Sequence, residues 1–345
     1  MGSKKIKGLF IEGDAYTLRS ARVSSLTAPL RIESVAVQAW DGGGGVETIL
    51  DKGKASGSRR YIPAHCAFAP DSRYFFLHKA PSLTKAKESA YWAPVLRQAR
   101  LDSEEVMLGI MEASSGRLLE DLAPGGGARD LLVCGARRSE WKSLQEALVG
   151  QNIVPQRLEL GGLSALAGLR DYLQWKQITA PVLFFEMGKR EAHLFILCGG
   201  KVVLCRGIAF GYESVLPLIR SELGLKEDEA ARHLFFSNTF DFRDIGSVLF
   251  SRLLRDLNAA SGFYEMQTGH PLHGFVMTGT PAGLDWIPAV IATGLEISAL
   301  KIDWEGWLSR HQIAIGETVE SLDLTTALLP LLSLMMKFHD TRDEG

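Results

Sequence analysis

Two short segments of this chain have the residue types and spacing to hold an anion. Leu9-Phe10-Ile11-Glu12-Gly13 and Leu183-Phe184-Phe185-Glu186-Met187-Gly188 are apolar runs that each end in a carboxylate and a glycine turn, followed by a returning strand. Turns of this kind aim successive backbone N–H groups at one point, which suits phosphate. Other chemistries are poorly matched. A phosphate loop of the G-x-x-x-x-G-K-[ST] type would centre on Gly53-Lys54, but Thr48 replaces its first glycine and Ala55 its hydroxyl. Gly162-Leu163-Ser164-Ala165-Leu166 lacks the last glycine of a nucleophile elbow and lies in an amphipathic helix from Leu163 to Leu173, so Ser164 reads as core. His270-Pro271-Leu272-His273 offers two imidazoles without a third ligand, and its proline marks a turn. Cys66, Cys134, Cys198 and Cys205 form no C-x-x-C pair. A hairpin would set Cys198 opposite Lys201 and Cys205 opposite Leu194, so these two are apolar fillers rather than a disulfide. No catalytic residue and no metal-ligand set emerges.

The composition limits the function classes further. Among 345 residues, 46% are hydrophobic and 23% charged, the balance of a folded chain of two or more domains rather than a disordered one. With 38 Lys and Arg against 40 Asp and Glu, the net charge of -2 provides no footprint for general nucleic-acid binding. The basic start Met1-Gly2-Ser3-Lys4-Lys5 is no secretory signal, because Glu12 and Asp14 break the apolar stretch that follows, and Ile6 stands where myristoylation needs Ser or Thr. The long apolar run Leu324 to Met336 is shorter than the roughly 18 residues a membrane crossing needs. A cytoplasmic location is expected.

The elements that must position the two turns follow from periodicity. A strand from Ile6 to Glu12 turns at Gly13-Asp14 and returns from Tyr16 to Val23. The glycine cluster Gly42 to Gly45 and the polar run Asp51 to Arg60 then place a boundary near Ser58. A small α+β module follows. It has strands at Tyr74 to Leu77, Val106 to Met111 and Leu131 to Cys134, a helix from Leu83 to Arg97, and a helix from Ser139, read as its N-cap, to Val149. Three antiparallel strands run from Pro181 to Leu204, and Gly211 to Gly274 reads helical. A strand Gly274 to Thr278, a helix near Trp286 to Thr293 and a final strand Glu296 to Ile302 come last. The run Leu324, Leu328, Leu331, Leu332, Met335 has helical spacing and reads as a closing core helix, with peripheral lipid contact as the sharper alternative.

The likeness of the two acid-glycine segments makes the halves look duplicated, and two such units facing each other form the actin-like nucleotide-binding architecture. The order of signals from Tyr61 to Ile302 resembles the PilM family, actin-like proteins of type IV pilus assembly related to FtsA and to the cytoplasmic domain of GspL proteins. The matching pieces are Leu131-Leu-Val-Cys-Gly-Ala-Arg-Arg138 with its helix and Asn152-Ile153-Val154-Pro155, the triple strand Pro181 to Ile208, Gly224-Leu225-Lys226-Glu227-Asp228-Glu229-Ala230, and Phe275-Val276-Met277-Thr278-Gly279. The resemblance implies an α/β fold of the actin-like, ribonuclease H-like type: duplicated, two-lobed, with an inserted α+β subdomain. Residues 1–57 and 153–180 would form the first lobe and 58–152 the inserted subdomain. In the second lobe, 181–213 would supply strands, 214–273 a helical subdomain and 274–338 the closing strands and helix, with a tail at 339–345.

Departures from the family's nucleotide motifs carry the functional reading. The family's first aspartate aligns with Ile11; Glu12 is one residue out of register and is expected to point away from the site. After Gly13, Asp14 puts negative charge where phosphate would lie. At the second turn the aspartate aligns with Glu186, and Gly188 is followed by Lys189, which would either meet phosphate or coat an exposed turn. The family's adenosine-contacting Glu and Lys align with Ala231 and Leu234, and its adenosine loop becomes Thr278-Gly279-Thr280-Pro281, where proline has no N–H to donate. Gly13, Asp14, Glu186, Gly188, Lys189, Thr278, Gly279 and Thr280 would therefore line a vestigial nucleotide cleft, with no cofactor expected.

On this resemblance the chain is a non-enzymatic scaffold of a pilus-like or type II secretion-like machine, lying at the inner membrane through its partners. It would hold the cytoplasmic N-terminal peptide of a PilN-like inner-membrane protein in a groove between the first lobe and the inserted subdomain, with Tyr74 to Leu77 and Val106 to Met111 as candidate walls. Other platform proteins and self-association complete the partner expectations. The alternatives are an ATPase or nucleotide switch using ATP and magnesium, with Glu186 and Lys189 at its centre, and an FtsA-like or GspL-like membrane-associated assembly protein.

Overall fold

The computed structural model describes residues 7–25, 28–40, 61–237, 239–319 and 323–340. The start Met1 to Lys5, the glycine cluster Gly42 to Gly45, the polar run Asp51 to Arg60 with the boundary near Ser58, and residues 341–345 lie outside the described residues.

In chain order, the first strands are β1 (Gly8–Gly13), β2 (Thr17–Val23), β3 (Leu30–Ala39) and β4 (Ile62–Phe68). Next come β5 (Tyr74–Ala80), α1 (Leu83–Ala86), α2 (Ser89–Gln98), β6 (Val106–Glu112) and β7 (Arg129–Arg137). After these follow α3 (Arg138–Gly150), β8 (Ile153–Leu160), α4 (Leu163–Trp175), and the strands β9 (Val182–Met187), β10 (Ala192–Cys198) and β11 (Lys201–Ile208). The helices α5 (Tyr212–Glu222), α6 (Asp228–Phe236), α7 (Gly246–Leu249) and α8 (Ser251–Thr268) precede β12 (Gly274–Thr278). The chain continues through α9 (Ile287–Leu295), α10 (Trp304–Arg310), β13 (Ile313–Ile315) and α11 (Leu329–Asp340).

Duplication is written in the topology. The first lobe's sheet has the order β13-β3-β2-β1-β4-β8 and the second lobe's the order β11-β10-β9-β12, so β3-β2-β1-β4 and β11-β10-β9-β12 repeat one pattern. In both, the first strand pairs antiparallel with its returning strand and parallel with the fourth. The acid-glycine segments of the sequence are the two equivalent strands β1 and β9. A third sheet, β5-β7-β6, is the inserted module.

Several boundaries differ from the periodicity reading. β4 was expected in the inserted module, but it pairs parallel with β1 and β8 inside the first lobe. The insertion is therefore the segment between β4 and α3, because Leu144 and Leu148 of α3 pack with Leu9 and Ile11 of the first sheet. The helix expected from Leu83 to Arg97 is two helices, α1 and α2, and Ser139 lies inside α3, whose N-cap is Arg137. The final strand expected from Glu296 to Ile302 shrinks to one bridge between Ala299 and Phe275. Cys205 faces Phe195 rather than Leu194, because a register shift between Ile196 and Leu197 displaces the pairing by one; both hairpin thiols are free.

The core lies between the layers. Phe10, Ala21 and Val23 on one face of the first sheet share a cluster with α4, α11 and the second-lobe residues Phe184, Phe195 and Val276, so the two lobes are joined through apolar packing. Leu329, Leu331, Leu332, Leu334 and Met335 of α11 are buried there, which removes that apolar face from any lipid contact. Among the described residues no helix is long and apolar enough to cross a membrane. On the far side of the second sheet, Leu183, Phe185 and Met187 pack under α5 to α9.

One glycine fixes how β4 meets the start of α4. A Cβ on Gly161 would stand 2.7 Å from the Phe68 carbonyl carbon and 2.8 Å from the Ala69 nitrogen, both backbone atoms. Gly161→Ala is expected to lower stability by about 1–3 kcal/mol in chemical denaturation, since only movement of the β4 end relieves the overlap.

Candidate functional site

β1 and β9 deliver their carboxylates to the junction of the two lobes. Side chains alternate along a strand. Phe10 points into the interlobe core and Ile11 into the separate cluster around Leu9, Leu18 and Phe68, so Glu12 shares the interlobe side with Phe10. The expectation that Glu12 points away is thus overturned: it is the structural counterpart of Glu186, which shares its side with Phe184.

Neither acid is open to a ligand. Arg19 on β2 donates from Nη1 to Glu12 Oε2 and to Asp14 Oδ2, both at 2.7 Å, and from Nη2 to the Thr280 carbonyl at 3.2 Å. Asp14 also builds the β1–β2 turn, its Oδ1 accepting the Tyr16 and Thr17 N–H groups at 2.9 and 2.8 Å. Arg73, from the loop between β4 and β5, reaches the second lobe's acid, donating to Glu186 Oε1 at 2.9 Å and to the Gly161 carbonyl at 3.3 Å. Arg19, Glu12, Asp14, Arg73 and Glu186 are all buried.

The other expected cleft residues also make contacts within the chain. Gly188 closes its turn by donating to the Glu191 carbonyl, and Lys189 lies 3.9 Å from Glu213. Gly279 needs its left-handed backbone, φ +73°, because a Cβ would approach the Met187 carbonyl at 2.7 Å. Its own carbonyl accepts the Tyr212 hydroxyl at 2.9 Å. The Gly279 and Thr280 carbonyls of this loop are thus engaged by Tyr212 and Arg19. Tyr16, just past the first turn, packs on Tyr212 and Phe236 with ring centroids 5.6 and 4.6 Å apart. Ala231 is buried and Leu234 packs in the same apolar cluster. An open cleft of about 520 Å³ persists beside this junction, lined by Asp14, Trp40, Phe68, Glu140 and Leu144, with Lys189 at its edge. Among the described residues no group of His, Cys, Asp and Glu side chains could hold a metal ion.

The electrostatics are those of a lock. Two buried carboxyls share one guanidinium, and burial pushes Glu12 up to about 8 against the pull of Arg19, with Asp14 and Glu186 adding to the rise. Glu12 therefore gives up its proton at higher pH than an exposed carboxyl. The folded chain holds that proton up to about pH 8 while the unfolded chain releases it near 4.5, so this group's stabilising contribution falls as pH rises through that window. Glu12→Gln is expected to remove a dependence approaching about 1.4 kcal/mol per pH unit. The difference between the wild-type and variant urea midpoints across the window measures it, and a constant difference would sink the assignment. His193, which faces Glu186 in register, is held well below the ordinary imidazole value by burial and by Arg73, and so is neutral.

Sequence reasoning located the two turns and the Thr278 to Thr280 loop but missed Arg19, Arg73, Tyr16 and Tyr212. A signal existed for Arg19. It falls on the β2 face shared with Ala21 and Val23, and an arginine on a buried face needs an acid beside it.

A second concavity, of about 500 Å³, lies between the first lobe and the inserted module. Leu163, Leu166, Ala167 and Arg170 on one face of α4 form one wall, Leu158 and Leu160 of β8 another, and Met111, Leu118 and Leu132 of the insertion face them. Of the strands expected to wall such a groove, β6 contributes Met111 and β5 contributes nothing, because β5 lies against β11 of the second lobe.

No protein-family model matches the sequence, and no curated protein matches it. Solved structures do. A chain of a PilM-PilN type IV pilus biogenesis complex is 17% identical, with a TM-score of 0.70 over 97% of this chain and 99% of that one. A Bacteroides thetaiotaomicron protein with an actin-like ATPase fold and unknown function is 10% identical, with a TM-score of 0.47 over 90% and 99%. The cytoplasmic domain of EpsL, an inner-membrane component of the type II secretion system of Vibrio cholerae, is 10% identical, with a TM-score of 0.37 over 96% and 94%. The fold is actin-like, two-lobed and PilM-like.

Proposed function

We propose that this chain is a non-enzymatic scaffold of a type IV pilus-like assembly machine, which binds the cytoplasmic N-terminal peptide of a PilN-like inner-membrane protein. The observation that supports this reading is the pairing of the acids at the lobe junction. Glu12 and Asp14 are held by Arg19 and Glu186 by Arg73, leaving only a side cleft at Asp14 and Lys189, while a separate groove beneath α4 offers apolar walls between the first lobe and the insertion. Extended peptides bind such grooves by placing apolar side chains in pockets while their main chain bonds to a neighbouring edge, and β8 is an edge strand. In this reading the protein is cytoplasmic, reaches the membrane only through its partner, and docks further platform proteins or further copies of itself on other faces.

Calorimetric titration with the partner's synthetic N-terminal peptide is expected to give saturable binding on the order of micromolar. Ala167→Trp, which fills the groove from the half-buried face of α4, should abolish it while leaving the melting temperature unchanged. Titration with Mg-ATP is expected to give no heat up to millimolar nucleotide. Tight nucleotide binding lost in Glu186→Ala and Lys189→Ala would instead favour the nucleotide-switch reading, in which ligand enters by the cleft at Asp14 and Lys189.

A further inference from the structure

Arg170 is a half-buried cation that feels Glu112 and Asp171 only through space. It sits on the groove face of α4 with Leu163, Leu166 and Ala167, and among the described residues it makes no hydrogen bond or ion pair; its Nε is buried with no acceptor. Three of the acids around it bond to other groups. Glu112 lies 3.7 Å from Arg129, Glu159 is 2.8 Å from Arg157, and Asp171 accepts from the Trp307 indole at 2.9 Å and bonds His311 at 2.7 Å.

The surroundings are shaped to hold the guanidinium where it is. Gly116, at φ +67°, turns the chain directly over Nη1, and a Cβ there would displace the guanidinium. Gly200, at φ +80°, leaves room for the aliphatic stem, with its notional Cβ 3.1 Å from Arg170 Cγ. Two glycine turns, one from the insertion and one from the second lobe, thus flank a first-lobe arginine at the edge of an apolar groove. A partly desolvated guanidinium is costly alone and becomes favourable when a carboxylate meets its planar fork.

We propose that Arg170 is a carboxylate receptor, and that the groove takes an extended apolar peptide carrying one acidic side chain that pairs with it. This rests on the reading of the groove as a peptide site and adds the chemical identity of its polar anchor. The apolar walls Leu118, Leu158 and Leu163 take the flanking side chains, and the peptide's acid supplies the hydrogen-bond acceptor that Glu112, Asp121 and Glu159 of the lining do not bring to Arg170.

Selection of random dodecapeptides displayed on phage against the wild-type chain tests this, followed by calorimetry of the selected sequence, made with an amidated C-terminus. The selected peptides are expected to share one acid at a fixed place among apolar residues. Replacing that acid by its amide should weaken binding roughly tenfold or more to the wild-type chain. Arg170→Met should weaken the acidic peptide equally and leave the amide peptide unaffected, while Arg170→Lys retains part of the preference. Equal affinity for acid and amide, or failure to select any peptide that Ala167→Trp excludes, would overturn the proposal; the acid-to-amide comparison needs no protein variant to fold. The scaffold reading is tested apart from this one. If the PilN-like peptide does not compete with a selected acidic peptide, the partner assignment falls and the carboxylate site stands. If the PilN-like peptide binds and amide replacement in the selected peptide changes nothing, the carboxylate site falls and the scaffold reading stands.

Discussion

Arg19→Ala is expected to lower the unfolding free energy by about 3–5 kcal/mol, the largest effect of any single change at the lobe junction. The substitution leaves Glu12 and Asp14 buried with no cation and frees the Thr280 carbonyl, which receives Arg19 Nη2 from across the cleft. Most of that loss comes from stranding the acids rather than from the attraction itself. Arg19→Met combined with Glu12→Gln and Asp14→Asn is therefore expected to recover much of it, since asparagine still accepts the Tyr16 and Thr17 N–H groups that form the turn. Urea denaturation of the single and triple variants checks this. A single-variant loss under about 1 kcal/mol would mean that the cluster behaves like a solvated surface pair.

Arg73→Met is expected to be nearly as damaging, by about 3–5 kcal/mol, but with a different signature. Arg73 lies 113 residues from Glu186 in the chain and ties the approach to the insertion to the second lobe and, through the Gly161 carbonyl, to the first. The neutral His193 facing Glu186 supplies no replacement charge, and Glu186 Oε2 already has no partner. The insertion also meets the second lobe through Phe75, packed on His193 and Phe195 at 4.9 and 5.4 Å, and through the Val202 N–H bonded to the Ala113 carbonyl at 3.0 Å. Local opening should therefore precede global unfolding, seen as faster hydrogen exchange at Val202 and along β5 than in the first-lobe sheet. Exchange that accelerates uniformly over the whole chain would show that Arg73 contributes to global stability without fastening the insertion.

Both arginines serve acids that stand at the ends of the two equivalent strands of the duplicated fold, β1 and β9. Here each is matched by a guanidinium from its own chain, and Tyr16 bridges the lobes on Tyr212 and Phe236. The lobes are joined by apolar packing and by these paired groups.

The sequence by itself determined the parts of this protein that depend on local pattern. Strand alternation and glycine turns located β1, β2 and the β9 to β11 meander, and the likeness of Leu9 to Gly13 with Leu183 to Gly188 revealed the duplication, because residue types repeated every second position encode which face is buried. Only the tertiary structure decided which side Glu12 takes, that β4 belongs to the first sheet, and that Arg19 and Arg73 cap the two acids. A family alignment placed the acid at Ile11, whereas burial of Phe10 toward the second lobe shows the register that the strand adopts. The groove beneath α4 was likewise hidden, since its walls come from three separated parts of the chain and Arg170 reads in sequence as one more polar helix position. Pairings between distant residues follow from how whole layers pack, and no window of local periodicity contains that information.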